Sequence, residues 1–325
     1  MRALQVSEYL PDHRGASIAD LAVPEPGAGE VRVRVRAAAV NFPDLLMTRG
    51  AYQYRPEPPF VLGLEFSGEV DAVGEGVVGW RAGAAVVGGA RCGAMAEYAV
   101  VPASSLRAKP ERLNWDEAAA YPVAYLTAHV ALVRCARLEA GEWVLVHGAG
   151  GGVGLATVDL ARARGARVIA AASSAEKRAA IARLYAPDAV IAAAPGFHEE
   201  VKALTGGMGA DVIFDPVGGD VFDESTRCIA FGGRLLAVGF ASGRIPELPV
   251  NRALIKGFAV IGVRAGEYGR KFPARGAENQ AAVDALAARG GIAPRVHAAL
   301  DLSDWRAAFA MIERREVIGK LVLKP

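Results

Sequence analysis

The hydrophobic pattern changes character once along the chain. Up to about residue 115, short apolar runs are cut by glycine and proline, as at 60–64, 68–73 and 84–87. Val31-Arg32-Val33-Arg34-Val35-Arg36 alternates with period two, the signature of a half-exposed strand. This pattern predicts a compact, strongly bent β-barrel. Residues 116–137 are alanine-rich with helical spacing, broken at Pro122. From Trp143 the periods alternate. Strands are predicted at 143–147, 166–171, 190–191, 211–215 and 234–238. Helices are predicted at 153–164 (stopping at Gly165), at 174–185 and around 201–204. Such alternation requires a parallel sheet with helices on both faces. A helix over 303–315 and a strand over 320–323 close the chain and return to the first domain. The expected fold class is α/β, a β-barrel domain plus a doubly wound parallel-sheet domain.

The most informative junction is Val144-Leu145-Val146-His147-Gly148-Ala149-Gly150-Gly151-Gly152-Val153-Gly154. An apolar strand feeds a glycine cluster that opens a helix. Glycine permits the sharp turn and the close approach of backbone to a pyrophosphate, and the helix N-terminus offers N–H groups and a positive dipole end. Gly150, Gly151, Gly152, Val153 and Gly154 are the expected pyrophosphate cradle. In such folds an acidic residue about 20 residues past the glycines selects NAD through the ribose diol. Here the second strand runs into Ser173-Ser174-Ala175-Glu176-Lys177-Arg178, with no carboxylate at its end. Ser173, Ser174 and Lys177 suit a 2′-phosphate, which predicts NADPH. Ser173 and Glu176 also have the spacing of a capping box, which accounts for Glu176 without placing it on the ribose.

Totals narrow the class. A chain of 325 residues implies two domains. A net charge of +2, with 22% charged and 52% hydrophobic residues, gives no reason to expect a polyanionic partner. No apolar run reaches membrane-spanning length, and the N-terminus reads as a strand with no signal-peptide pattern. Cys92, Cys135 and Cys228 lie far apart, which fits a reducing cytoplasm. The five histidines show no ligand spacing, and none is assigned to catalysis.

The chain resembles the zinc-independent medium-chain dehydrogenase/reductases, in particular the NADPH:quinone oxidoreductase (zeta-crystallin-like) group. The resemblance runs over nearly the whole chain. It rests on Asn41-Phe42-Pro43-Asp44, Gly50-Ala51-Tyr52, Pro59-Phe60-Val61-Leu62-Gly63-Leu64-Glu65-Phe66-Ser67-Gly68, Leu126-Thr127-Ala128, the glycine turn, Phe214-Asp215-Pro216-Val217-Gly218-Gly219 and Gly319-Lys320. It implies a GroES-like catalytic domain over 1–119, a Rossmann NADP-binding domain over 120–264 and a return to the catalytic domain over 265–325. It also implies homodimers joined through the Rossmann sheet edge, for which Ala259-Val260-Ile261-Gly262-Val263 is a suitable strand. Zinc-dependent relatives carry cysteine where this chain has Asn41 and histidine where it has Leu64. Only Cys92 falls where they carry a four-cysteine lobe. Neither Asn nor Leu is a credible zinc ligand there, so no metal is expected.

Without a Lewis acid the hydride acceptor must spread its own developing charge, as quinones and activated alkenes do. The resemblance therefore implies NADPH-dependent reduction of a quinone. The alternatives are reduction of an α,β-unsaturated carbonyl or enoyl-CoA thioester, or NADPH binding in a non-enzymatic structural role. By the same resemblance Asn41 and Thr127 line the nicotinamide, Val217 belongs to the cofactor surface and Arg315 lies near the cofactor. A turn residue, a core threonine and a solvated helix-end cation are the plainer roles for Asn41, Thr127 and Arg315. Gly239 and Phe240 follow a strand whose C-terminal end meets the nicotinamide amide. Tyr52, with Tyr54 as competitor, is placed to donate a hydrogen bond or proton to the acceptor. Some relatives hold the 2′-phosphate with a tyrosine after the third Rossmann strand. This chain has 190–194 (Val-Ile-Ala-Ala-Ala) there, which predicts a weaker preference for NADPH.

Overall fold

A computed structural model describes residues 1–325. The chain forms two compact units, one of residues 1–123 with 294–325 and one of residues 124–293.

The first unit is built on Glu30–Val40, the strand of alternating valines and arginines. Val31, Val33 and Val35 are buried, while Arg32, Arg34 and Arg36 point the other way. This one long strand pairs antiparallel with Glu65–Val73, Tyr98–Pro102 and Lys320–Lys324. Register shifts along its pairing with Glu65–Val73 mark where it bends. A three-stranded sheet of Ala16–Asp20, Arg2–Val6 and Phe60–Val61 stands beside it. A core including Leu4, Leu45, Phe66, Met95, Trp305 and Phe309 lies within the unit. The tail helix is Trp305–Glu313, following a 3₁₀ turn, and Lys320–Lys324 completes the sheet.

The second unit holds a six-stranded sheet, all parallel, of Trp143–Val146, Arg167–Ala172, Ala189–Ala192, Ala210–Asp215, Ile229–Ala237 and Ala259–Gly262. Numbered within this sheet, the spatial order is 3-2-1-4-5-6. The order reverses between Trp143–Val146 and Ala210–Asp215, the place where a dinucleotide sits in this topology. Helices Gly152–Ala163, Ala175–Tyr185, Phe197–Leu204 and Asp220–Cys228 connect the strands. Before the sheet, Trp115–Ala120 and Pro122–His129 flank the break predicted at Pro122, and the second continues as a π-helical stretch, Val130–Cys135.

The return to the first unit begins at 294 instead of the expected 265. Helices Ala265–Lys271 and Pro273–Ala288 stay with the parallel sheet. The second of these buries Asn279, Val283 and Ala287, and Arg134 ties it down through Asn279 Oδ1 and Glu278 Oε2, both at 2.6 Å. Both ends of the second unit also converge on one side chain. Asp159 Oδ2 accepts the Tyr125 hydroxyl at 2.6 Å and the Ala293 N–H at 2.8 Å, and the Tyr185 hydroxyl bonds the Ala293 carbonyl at 2.6 Å. No helix is long and apolar enough to cross a membrane.

Candidate active site

In the second unit the glycine turn follows its strand directly. His147 N–H bonds Phe214 O at 3.0 Å, locking the turn to the neighbouring strand at the point where the sheet order reverses. Gly151 N-caps Gly152–Ala163 and has no side chain to cap it, so the first-turn N–H groups are left for a ligand. Gly148 adopts φ +58°, which favours glycine. A Cβ on Gly154 would lie 2.2 Å from Gly148 O, so any side chain there pushes helix and turn apart. A Cβ on Gly150 would meet only the Lys177 stem, with Cδ at 2.9 Å. The Lys177 side chain is thus laid across the glycine turn, between the first-strand turn and the end of the second strand.

That second strand ends in Ala172, followed by exposed Ser173 and Ser174. The helix cap is Ser174, whose hydroxyl accepts Lys177 N–H at 3.2 Å. This corrects the expected Ser173–Glu176 box by one residue, because the strand runs one residue further than its pattern suggested. Arg178 turns back onto the carbonyls of Ala172 and Ser173 and so faces the strand end. Across the order reversal, buried Asp215 accepts the N–H groups of Val217 at 2.8 Å and Gly218 at 2.9 Å. Burial raises the Asp215 carboxyl above the usual range, and the two N–H bonds oppose it. Val217 and Pro216 accept the N–H groups of Ser242 and Ala241, which seats the Gly239–Phe240 turn beside the Asp215 turn. Phe240 is half in solvent, and Thr127 is half-buried on Pro122–His129. Gly150, Gly151, Ser173, Ser174, Val217, Gly239 and Phe240 lie on the connections that follow the parallel strands, and Gly152, Val153, Gly154 and Lys177 in the first turns of the helices that those connections open.

His147 is a buried neutral imidazole. Its Nε2 lies 2.9 Å from Ser225 Oγ and its ring packs edge-on against Phe197, while burial pushes its pKa down to about 3. It is part of the packing under the turn.

In the first unit, register explains a buried polar cluster. Val40 pairs with Leu321 and Ala38 with Phe66. The next residue along each strand end is then Asn41, Lys320 or Glu65, and the three meet. Lys320 Nζ donates to Asn41 Oδ1 at 2.6 Å and to Glu65 Oε1 at 2.9 Å. Asn41 Nδ2 donates to the same Glu65 oxygen at 3.0 Å and to Ala39 O at 3.3 Å. Val123 N–H occupies Glu65 Oε2 at 2.7 Å. All three residues are buried. Gly319, at φ +96°, makes the entry possible, since a Cβ there would lie 2.3 Å from Arg295 O. Asp44 Oδ2 accepts Asn41 N–H at 2.7 Å, and its other oxygen has no partner. Burial pushes the Asp44 carboxyl up to about 7, with the Asn41 N–H bond and the Lys320 charge pulling against it.

The sequence pattern assigns no site role to Glu65, Lys320 or Asp44, although each lies in or next to a motif. The signal available was a lysine opening the apolar strand Lys320–Lys324. Tyr52 and Tyr54 are half-buried against the barrel core. Tyr54 is engaged, with the Arg91 guanidinium 3.8 Å from its ring centre and burial beside Cys92 raising its pKa. Arg315 is exposed in the first unit at φ +57°, in the turn after Trp305–Glu313.

The chain matches two protein families, the alcohol dehydrogenase GroES-like domain over residues 27–111 and the zinc-binding dehydrogenase family over residues 152–288. It is 39% identical over 300 residues to a quinone oxidoreductase-like protein 2 homolog of Nematostella vectensis, covering 91% of this chain and 82% of that one. It is 32% identical over 264 residues to a quinone oxidoreductase of Rattus norvegicus, covering 81% and 80%. Among solved structures, a mycobacterial protein complexed with NADPH superposes with a TM-score of 0.92 at 32% identity, covering 100% of both chains.

Proposed function

This chain belongs to the medium-chain dehydrogenase/reductase family, among its quinone oxidoreductase-like members, and on that premise we propose that it is an NADPH-dependent, zinc-independent quinone reductase. The observation that carries the reading is the Asn41–Glu65–Lys320 cluster. Its donor set is one amide oxygen, one carboxylate and one ammonium bonded to both. A divalent cation placed there would face the ammonium at close range in a low-dielectric interior. An acceptor that delocalises its own negative charge needs no such cation, and a quinone does so over a conjugated ring and two oxygens.

The residues of the second unit fit the cofactor. Bound NADPH would supply a hydride, one hydrogen nucleus with two electrons, and leave as NADP⁺, while the reduced quinone would take one proton from a nearby donor or water. The chain holds it through the N–H groups of 150–154 on the pyrophosphate and through Ser173, Ser174 and Lys177 on the 2′-phosphate. Such charge-assisted bonds contribute about 1.5–3 kcal/mol each. Val217, Gly239 and Phe240 supply backbone around the nicotinamide amide. Thr127 and Asn41 line the ring, Tyr52 donates to the acceptor oxygen and Arg315 lies near the cofactor phosphates. The protein accelerates the reaction chiefly by positioning.

The edge strand Ala259–Gly262 exposes Val260, and Phe231, Val250, Leu254 and Ile255 are largely exposed nearby in sequence or pairing. An open apolar edge supports a homodimer built by edge pairing. The three free cysteines suit a cytoplasmic protein.

The test is NADPH oxidation by chelator-treated protein with a small para-quinone, an unhindered enone and a short enoyl-CoA, alongside an NADH control. Fast quinone turnover with NADPH supports the reading. Preference for the enone or thioester moves the protein to alkene reduction. Turnover that appears only on adding zinc overturns the argument from the cluster.

A further inference from the structure

Glu65 and Lys320 are expensive to bury, and beyond the Val123 N–H on Glu65 Oε2 their hydrogen bonds go to each other and to Asn41. An ion pair of this kind contributes little net stability compared with apolar residues of similar size. Its distinctive property is directional. An ammonium can only donate hydrogen bonds and an ionised carboxylate can only accept them. The Asn41 carboxamide sits between one of each, with Oδ1 on Lys320 Nζ and Nδ2 on Glu65 Oε1. Rotating the amide by half a turn would aim N–H at the ammonium and oxygen at the carboxylate. Only one orientation satisfies both neighbours.

We propose that Lys320 is a positioning residue that locks the Asn41 carboxamide in a single orientation, with Glu65 as the opposing half of the lock. Both Nδ2 hydrogens are directed inward, to Glu65 and Ala39. Asn41 therefore has no side-chain hydrogen to offer a ligand, and its carboxamide meets one only through Oδ1, the atom that accepts Lys320 and faces the Asp44 N–H in the capping box. The consequence for turnover rests on the placement of Asn41 beside the nicotinamide in the proposed function. Asn41 then acts as a fixed acceptor, and its orientation affects the reacting geometry more than the affinity for the phosphates.

The experiment uses the full chain with asparagine-selective nitrogen labelling. The sequence holds four asparagines, at 41, 114, 251 and 279, so the side-chain amide signals can be resolved and Asn41 assigned by its loss in Asn41→Ser. In the unaltered protein the Asn41 amide hydrogens exchange with solvent at least tenfold more slowly than those of exposed Asn114 and Asn251. In the charge-neutral pair Lys320→Met with Glu65→Gln, this protection falls at least tenfold. Quinone turnover also falls at least tenfold in kcat, while KM for NADPH stays within about twofold. If Lys320 served only to neutralise Glu65, the double variant would recover wild-type kcat and keep Asn41 protected; either result overturns the proposal. Rapid exchange of Asn41 in the unaltered protein also overturns it, even if the double variant does not fold. Should the unaltered protein reduce no quinone, the functional reading fails, and amide exchange still judges the lock.

Discussion

The two units build their polar sites from opposite materials. In the parallel-sheet unit the site is mostly backbone: N–H groups at a helix start, glycines without side chains, and a carboxylate that holds a turn. In the barrel the site is side chains, two of them charged, assembled at the ends of three strands. The first kind depends on steric allowance, and the second on charge balance. They should therefore fail in different ways.

The largest difference lies in their response to pH. Asp44 in the barrel is raised to about 7, against about 4 in the unfolded chain. The stabilisation from its proton is complete in acid and is lost as pH rises through 7. Lys320 and Glu65 are the charges that face it. His147 is lowered to about 3, against about 6.5 unfolded. Its contribution is complete above pH 6.5 and is lost as pH falls toward 3. Alkali should weaken the barrel while acid weakens the parallel-sheet unit. Peptide-resolved hydrogen exchange at pH 4.5 and 8.5 should show that crossover, and uniform loosening at both would break the comparison. Asp44→Asn keeps an acceptor for the Asn41 N–H and removes the titration. Its stability advantage in urea unfolding should grow by about 2–3 kcal/mol between pH 5 and pH 8.

Next in size is Gly154→Ala. The added carbon has a carbonyl oxygen 2.2 Å away, so the helix must shift. A loss of about 3 kcal/mol in stability is expected, with at least a hundredfold loss of NADPH affinity by fluorescence titration. Unchanged affinity would show that the turn does not hold the cofactor.

Lys177→Ala should raise the KM for NADPH tenfold to a hundredfold and leave that for NADH nearly unchanged, the worth of about one charge-assisted bond. Equal effects on both cofactors would remove Lys177 from the 2′-phosphate. Gly150→Ala is the smallest change. It meets only the flexible Lys177 stem, so stability should change by less than about 1 kcal/mol. The displaced lysine should still narrow the NADPH/NADH ratio in steady-state kinetics.

The same contrast explains what could be read before folding. The glycine turn was legible because a backbone site demands particular residues at particular spacings within one stretch. Gly148 through Gly154 carry that demand in seven consecutive positions. The parallel, doubly wound class of the sheet followed from the alternation of periods, while its strand order did not. The barrel cluster was not legible as a site, since Asn41, Glu65 and Lys320 are joined by register alone and lie up to 279 residues apart. Even with all three quoted in motifs, nothing in the sequence said that the lysine would reach the asparagine. The return point at 294 was hidden for a similar reason. Pro273–Ala288 is alanine-rich with a weak pattern, and its allegiance is decided by Arg134 far upstream.

Asp159 holds both places where the chain enters and leaves the parallel-sheet unit, through Tyr125 and Ala293. The intervening 170 residues therefore form a closed excursion, leaving the barrel sequence and rejoining it at one carboxylate. Segments whose ends meet in this way are the ones that can be inserted, exchanged or removed as a cassette without rethreading their host. Residues 124–293 are a segment of that kind, with one aspartate marking both seams.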